Sequence, residues 1–273
     1  MSGADASAWL AAYDAQLRDR VSDQLPAEVT VERDGPLLRF FGLFGQGNRG
    51  FVSYRDLDGL DGADLDALIA RQVHVFAERG ERFEWKLHAH DRPTDLSQRL
   101  RAAGFVPEEE ETVVIAPVDE IAGRPVLPEG VSLREVTDRS DLDRIAAFER
   151  AAWEAEDDDS WIAESLDAER TADPEGISIV VAEAGGAIVC AGWVRFERGT
   201  DFATLWGGAT LPAWRGRGIY RAAVAYRANL AAERGFRFVE VDASSDSRPI
   251  LERLGFCAVT TTTPYVWSPP TDA

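Results

Sequence analysis

The side chains best suited to chemistry gather between Leu211 and Arg221, in the run LPAWRGRGIYR. Gly216 and Gly218 let main-chain N–H groups turn inward with no Cβ in the way. Ile219, Ala222, Ala223, Tyr226 and Leu230 then recur at the spacing of one helix face, which predicts a helix from Ile219 to about residue 234. The first turn of a helix carries N–H groups without intrahelical acceptors and the positive end of the dipole. Arg215, Arg217, Arg221 and Arg227 add charge, and no acid intervenes before Glu233. A plain turn with solvated arginines would fit the glycines alone. The arginine cluster, set in a chain of net charge −19, favours a loop that holds a diphosphate or similar anion.

Other residues invite chemistry with less support. Gly207 and Gly208 interrupt the apolar run of residues 202–210 and suit a β-bulge. Asp242, on the next expected strand, is a candidate base, although a buried or helix-capping carboxylate fits equally. Five acids separate Trp153 from Trp161. Of these, Glu154 and Asp157 are the candidates to hold a cationic amine, and a solvated acidic turn is the competing account. His88 and His90 share a strand face, but no third metal ligand accompanies them, so surface or cleft histidines are the preferred reading and no metal is expected. Cys190 and Cys257 sit in apolar runs and read as buried free thiols.

Composition sets outer bounds. Hydrophobic residues make up 45% and charged residues 28% of 273 positions, an ordinary globular balance with room for two small domains. With 48 acids against 29 bases, nucleic acid and anionic membranes are poor partners. Lys86 is the single lysine; an Arg-, Ala-, Gly- and Asp-rich chain of this kind suggests a bacterial origin. No apolar run reaches membrane-spanning length, and the first residues lack a signal-peptide pattern. A cytoplasmic protein is the expectation.

The elements that must position these residues fall into two halves. Residues 6–21 suggest an amphipathic helix, followed by strands near 28–32, 37–43 and 50–54. A helix is expected over 61–80, then a strand at 83–89, a short helix at 96–103 and a strand at 112–116. The Pro-rich residues 121–130 read as a linker. A strand at 131–136, two helices, a hairpin of 177–183 and 187–196, and the strand 202–210 lead to the arginine loop. Beyond its helix come a strand at 238–242, a helix at 247–254 and two strands at 257–262 and 265–268. Two matches link the halves. AERGERF at 77–83 parallels AERGFRF at 232–238, and Gly104-Phe105 parallels Gly255-Phe256. Two ordered matches favour duplication over chance. The first copy begins its helix with Asp58, Asp61 and Asp64 where the second has arginines, and those acids repel a diphosphate. The expected division is therefore 1–120, a degenerate copy; 121–130, linker; and 131–273, the functional copy.

The run Arg215-x-x-Gly218-x-Tyr220 resembles the coenzyme-A signature of the GCN5-related N-acetyltransferases (GNAT), with Tyr220 where that family usually has Gly or Ala. The resemblance covers residues 131–268 and extends to the element order. It implies an α/β mixed-sheet acyl-CoA N-acyltransferase fold, here as two tandem GNAT-like domains, the second using acetyl-CoA as co-substrate and a small-molecule amine as acceptor. It implies that Ala209, Thr210 and Leu211 receive the pantetheine arm, that Arg215, Gly216, Arg217, Gly218, Tyr220 and Arg221 hold the diphosphate, and that Ser244 stands where the family has a coenzyme-contacting Asn. The family's usual tyrosine acid falls at Leu251. Tyr220 and Tyr265 are the candidate substitutes for that acid, and Asp242 is the candidate base named above. A monomer with an internal pseudo-dimer, or a homodimer, is the implied assembly. A non-catalytic acetyl-CoA-binding module is the alternative.

Overall fold

The computed structural model describes residues 3–43, 50–153 and 160–270. In chain order its elements are α1 (Gly3–Gln16), β1 (Thr30–Asp34), β2 (Leu37–Phe41), β3 (Gly50–Tyr54), α2 (Gly62–Glu78), β4 (Phe83–His88), α3 (Leu96–Ala102), β5 (Val106–Pro107), β6 (Glu111–Pro117) and α4 (Val118–Ile121). There follow β7 (Val131–Glu135), α5 (Arg139–Trp153), α6 (Ser160–Ala172), β8 (Ile177–Ala184), β9 (Ala187–Phe196), β10 (Phe202–Thr210), a 3-10 turn (Pro212–Trp214), α7 (Ile219–Glu233), β11 (Phe238–Ala243), α8 (Arg248–Leu254) and β12 (Cys257–Trp267). Helices and strands mix in both halves, as the fold class expected from sequence requires.

The chain divides into two compact units, but not where the sequence placed the boundary. The first comprises Met1–Val21, Ala27–Val113 and Val259–Ala273, and the second Ser22–Pro26 and Val114–Ala258. Two expectations are thereby corrected. Residues 114–121 are not a tail of the first half: Val114, Ala116, Val118 and Ile121 are buried in the core of the second. From Val259 onward the last strand is not part of the second half either. It is one strand rather than two, because Pro264 retains its carbonyl acceptor and opposes Lys86 across β4, where its missing N–H costs one ladder bond. Tyr265 and Trp267 of β12 are buried in the core of the first unit, among Phe76, Phe83, Trp85 and Phe105.

Each unit contains a parallel β-α-β crossover. In the first, Gly50–Val52 pair with Phe83–Trp85, and α2 connects the strands. In the second, Phe202–Thr204 pair with Phe238–Glu240, and α7 connects them. These are the segments that the sequence matches relate, and the equal length of the parallel ladder supports duplication. In the second unit the strands run β11-β10-β9-β8-β7. Val224, Ala228 and Ala231 of α7 cover one face with Ala203, Leu205, Val239 and Leu251. Ile145, Phe148, Ile162 and Leu166 of α5 and α6 cover the other with Ile179, Val181 and Ala191.

Helix α1 ends at Gln16 rather than near residue 21, because Arg18 turns inward. The Arg18 Nη2 donates to Asp91 Oδ1 at 2.6 Å, and Tyr54 Oη donates to Asp91 Oδ2 at 2.5 Å. His88 Nε2 meets Tyr13 Oη at 3.1 Å, and His90 bonds Asp14 and Thr260. His88 is thus a core residue, where a surface or cleft histidine was expected. Burial, with Arg18, Lys86 and His90 nearby, holds its imidazole well below the usual range. The folded unit keeps the ring neutral, so this contribution to stability is full above the ordinary histidine value of about 6.5 and is lost as pH falls below it. Thermal unfolding followed between about pH 7 and 5 should show a larger drop in midpoint for the wild type than for His88→Gln. Separately, a chain stopped after Ala258 should lose the cooperative unfolding of the first unit, read by near-ultraviolet dichroism, since Tyr265, Val266 and Trp267 are buried there at 3, 5 and 7% exposure.

Candidate functional site

The second unit brings the Arg–Gly loop to the open end of its parallel strand pair. Strands β10 and β11 pair for three residues, Phe202–Thr204 against Phe238–Glu240. Strand β10 then continues to Thr210 along β9 alone, with a register shift between Gly207 and Ala209. Gly207 and Gly208 have φ of 65° and 94°, so the bulge expected here is present, and glycine supplies the left-handed backbone that it needs. Past Thr204, one edge of β10 therefore faces away from β11.

The loop beyond β10 is held by its own arginines. Arg215 Nε donates to Thr210 O at 2.9 Å and Arg215 Nη2 to Ala152 O at 3.1 Å, at the end of α5. Arg217 Nη2 donates to Ala213 O at 3.1 Å, with its guanidinium over the Trp214 ring. Gly218 caps α7 with φ 82°, and the first bond into the helix is Ala222 N to Gly218 O at 3.0 Å. A Cβ on Gly216 would meet nothing within 4 Å, and one on Gly218 would meet only Arg221 Nη2 at 3.6 Å. The space beside Gly216 and Gly218 is thus open, with the Arg221 guanidinium next to it and the unpaired first-turn N–H groups that a helix start presents, a donor set that fits a diphosphate.

Several candidates come together here and others do not. Ala209 is buried opposite Ala191, Thr210 opposes Cys190, and Leu211 N donates to Val189 O at 3.0 Å, so all three continue β10 toward the loop. Asp242 lies on β11 beyond the last β10 pair. It shares a strand face with Glu240, opposite Val239 and Ala243, which pack under α7. Glu240, 5% exposed, went unnoticed in the sequence, where nothing distinguishes it from its strand neighbour Asp242. Ser244 is taken up locally: its Oγ accepts Ser247 N at 3.3 Å in the turn before α8. Tyr265 is removed from the group altogether, because it belongs to the core of the first unit, opposite Trp85. Leu251, on α8, is fully buried in the core that α7 also covers. Glu154 and Asp157 lie outside the described residues. Cys190 is buried and burial pushes its thiol up, as for an inert core cysteine; Cys257 is half-buried.

Arg227 corrects the four-arginine cluster. It is 1% exposed, two turns along α7. Its Nε donates to Ala223 O at 3.1 Å, and its Nη1 to Trp193 O at 3.2 Å and Trp206 O at 2.9 Å. Two glycines make the space. A Cβ on Gly192 would stand 2.7 Å from Arg227 Nη1, and one on Gly208 would stand 2.7 Å from the Tyr220 ring. Tyr220 therefore points inward at the bulge and leaves the start of α7 clear. This is how a bulky residue is accommodated at a position expected to be Gly or Ala. Burial raises the Tyr220 phenol above its ordinary value, with the nearby Arg227 opposing that shift.

Comparison with known proteins agrees with this architecture. Residues 142–256 match the acetyltransferase (GNAT) family. A GCN5-related N-acetyltransferase from Kribbella flavida superposes with a TM-score of 0.66 at 18% identity, over 98% of this chain and 95% of that one. A tandem GNAT protein from the clavulanic acid biosynthesis pathway gives 0.65 at 17% identity, over 99% and 97%. A GCN5-related N-acetyltransferase from Sphaerobacter thermophilus gives 0.63 at 18%, over 87% and 79%. No curated protein matches the chain in sequence.

Gly218→Glu places a side chain and a negative charge in the concavity, where φ is 82°. Isothermal titration with acetyl-CoA should show one site per wild-type chain and none in this variant. Two equal wild-type sites would mean that the acid-lined start of α2 also binds. The features of the second unit and the comparisons lead to one assignment: residues 142–256 match the acetyltransferase (GNAT) family, and the chain carries along its length a fold like that of a tandem GNAT protein.

Proposed function

We propose that this protein is an acetyl-CoA-dependent N-acetyltransferase that acts by direct attack of a primary amine, in the cytoplasm, on a small cationic acceptor. The observation that carries the reading is the parting of β10 from β11 after three pairs, beside the Gly216–Gly218 concavity. Acetyl-CoA supplies a thioester acyl group. Main-chain N–H groups at the start of α7, with Arg221, bind the diphosphate, and the free edge of Ala209 to Leu211 orients the pantetheine arm. Asp242 accepts the ammonium proton that must leave before the amine nitrogen can attack. Tyr220, a phenol protonated at neutral pH and held further above its ordinary value by burial, is the donor for the departing thiolate.

The acceptor class follows from charge. A protein of net charge −19 draws cations toward its clefts and repels anions. Trp153 is exposed at 61% and offers its ring to an amine, whereas the Trp206 ring already holds the Arg195 guanidinium at 4.5 Å. Glu154 and Asp157 would supply its counter-charge. Replacing them by Gln and Asn should raise the Michaelis constant for the amine, with that for acetyl-CoA nearly unchanged, and the effect should shrink at high salt. A screen in which anionic acceptors are preferred would remove this reading.

One observation favours a second reading, a non-catalytic acetyl-CoA-binding module: the position of the family's usual acid is Leu251, locked in the core. Turnover of acetyl-CoA across an amine panel separates the two. If Tyr220 is the acid, Tyr220→Phe should lower turnover about a hundredfold. Leu251→Tyr should not restore the family pattern. Overpacking a fully buried site should cost about 1–3 kcal/mol, seen as a lower melting temperature.

A further inference from the structure

Arg227 is a buried cation whose bonds, among the described residues, go to main-chain carbonyls and to no carboxylate. Burying a charge is costly unless something requires it. The strands around it are shaped to accept it. Gly192 on β9 and Gly208 on β10 are the residues whose Cβ atoms would collide with Arg227 and Tyr220. The carbonyls it takes belong to Trp193 and Trp206, which oppose each other one pair before the register shift. The duplicate supplies an internal control. With the offset of the AERG match, Arg227 corresponds to Gln72 on α2, also fully buried and also donating to the carbonyl four residues back, Leu68 O, at 3.0 Å. Gln72 then turns to Asp34 Oδ2 at 2.8 Å. The copy with the acid-lined helix start thus carries a neutral amide, and the copy with the anion loop carries a guanidinium.

We propose that Arg227 is a positioning residue for acyl transfer: by gripping the Trp193 and Trp206 carbonyls and lying beside Tyr220, it fixes the bulge and the phenol against each other, while the diphosphate concavity is independent of it. The proposal rests on the transferase reading above. Charge matters as well as shape, because a cation beside Tyr220 favours its phenolate, the form left after proton donation. The groups facing Tyr220 are Arg227 from its own helix and Cys190 from β9.

Arg227→Gln, the residue its own duplicate uses, and Arg227→Lys, which keeps the charge but loses the fork, test this in the full chain. Turnover in Arg227→Gln should fall about a hundredfold, while the dissociation constant for acetyl-CoA, from calorimetry, changes less than about threefold. The ionisation of Tyr220, isolated as the phenolate absorbance absent in the matched Tyr220→Phe protein, should move to higher pH in Arg227→Gln and far less in Arg227→Lys. A structural role alone predicts parallel loss of binding and turnover with Tyr220 ionisation unmoved, and that result overturns the proposal, as does failure of both variants to fold. If the wild type binds acetyl-CoA but turns over no amine, the transferase reading fails by itself. The ionisation and binding measurements then still decide whether Arg227 couples to Tyr220.

Discussion

A single constraint shapes the second unit: the parallel ladder between β10 and β11 ends after three pairs. An edge of β10 opens because the chain needs a bulge at Gly207 and Gly208, where both residues have positive φ. A bulge adds local twist and re-aims the strand. Everything nearby answers that departure. Glycines at 192 and 208 leave room beneath it, Arg227 and Tyr220 fill the room, and the Arg215 side chain ties the far end of β10 to the close of α5. The loop arginines divide their labour accordingly. Arg215 and Arg217 brace the main chain, Arg221 overhangs the concavity, and Arg227 works inside the sheet-facing side of α7.

The two copies show how one β-α-β scaffold is turned to different ends. Both keep the three-residue parallel ladder and a buried polar residue on the connecting helix. The first copy spends its polar side chains on internal order: Arg18, Asp91, Tyr54, Tyr13 and His88 form a connected buried network. Such a network is stabilising only when its members find partners, and it ties the residues after α1 to β3 and the end of β4. The second copy instead leaves donors at the start of α7 facing outward.

The positive-φ glycines, the bulge and the α7 periodicity were legible in sequence because each reflects local backbone chemistry. The element order and the repeat were legible for the same reason. What sequence could not assign was set by tertiary choice. Arg227 reads as one more arginine in a basic cluster, and only the paired glycines on neighbouring strands, distant in sequence, reveal that it lies inside. Tyr265 sits in a run that looks like the close of the second half, yet its ring completes the core of the first, a pairing that no local pattern encodes. His88 has the composition of a surface strand residue; its burial depends on Tyr13, 75 residues away.

The placement of β12 has a consequence for how the chain is made. Residues up to Val113 of the first unit are translated well before residues 259–267 of the same sheet. Domains synthesised first generally fold first. Here that order is barred, for all of Val114–Ala258 must be translated before β4 receives its neighbour. At about 5–20 residues per second, the edge of β4 stands open for roughly ten to thirty seconds, a template for wrong pairing. Until residues 259–267 follow, β4 is where the nascent chain is exposed to misassembly.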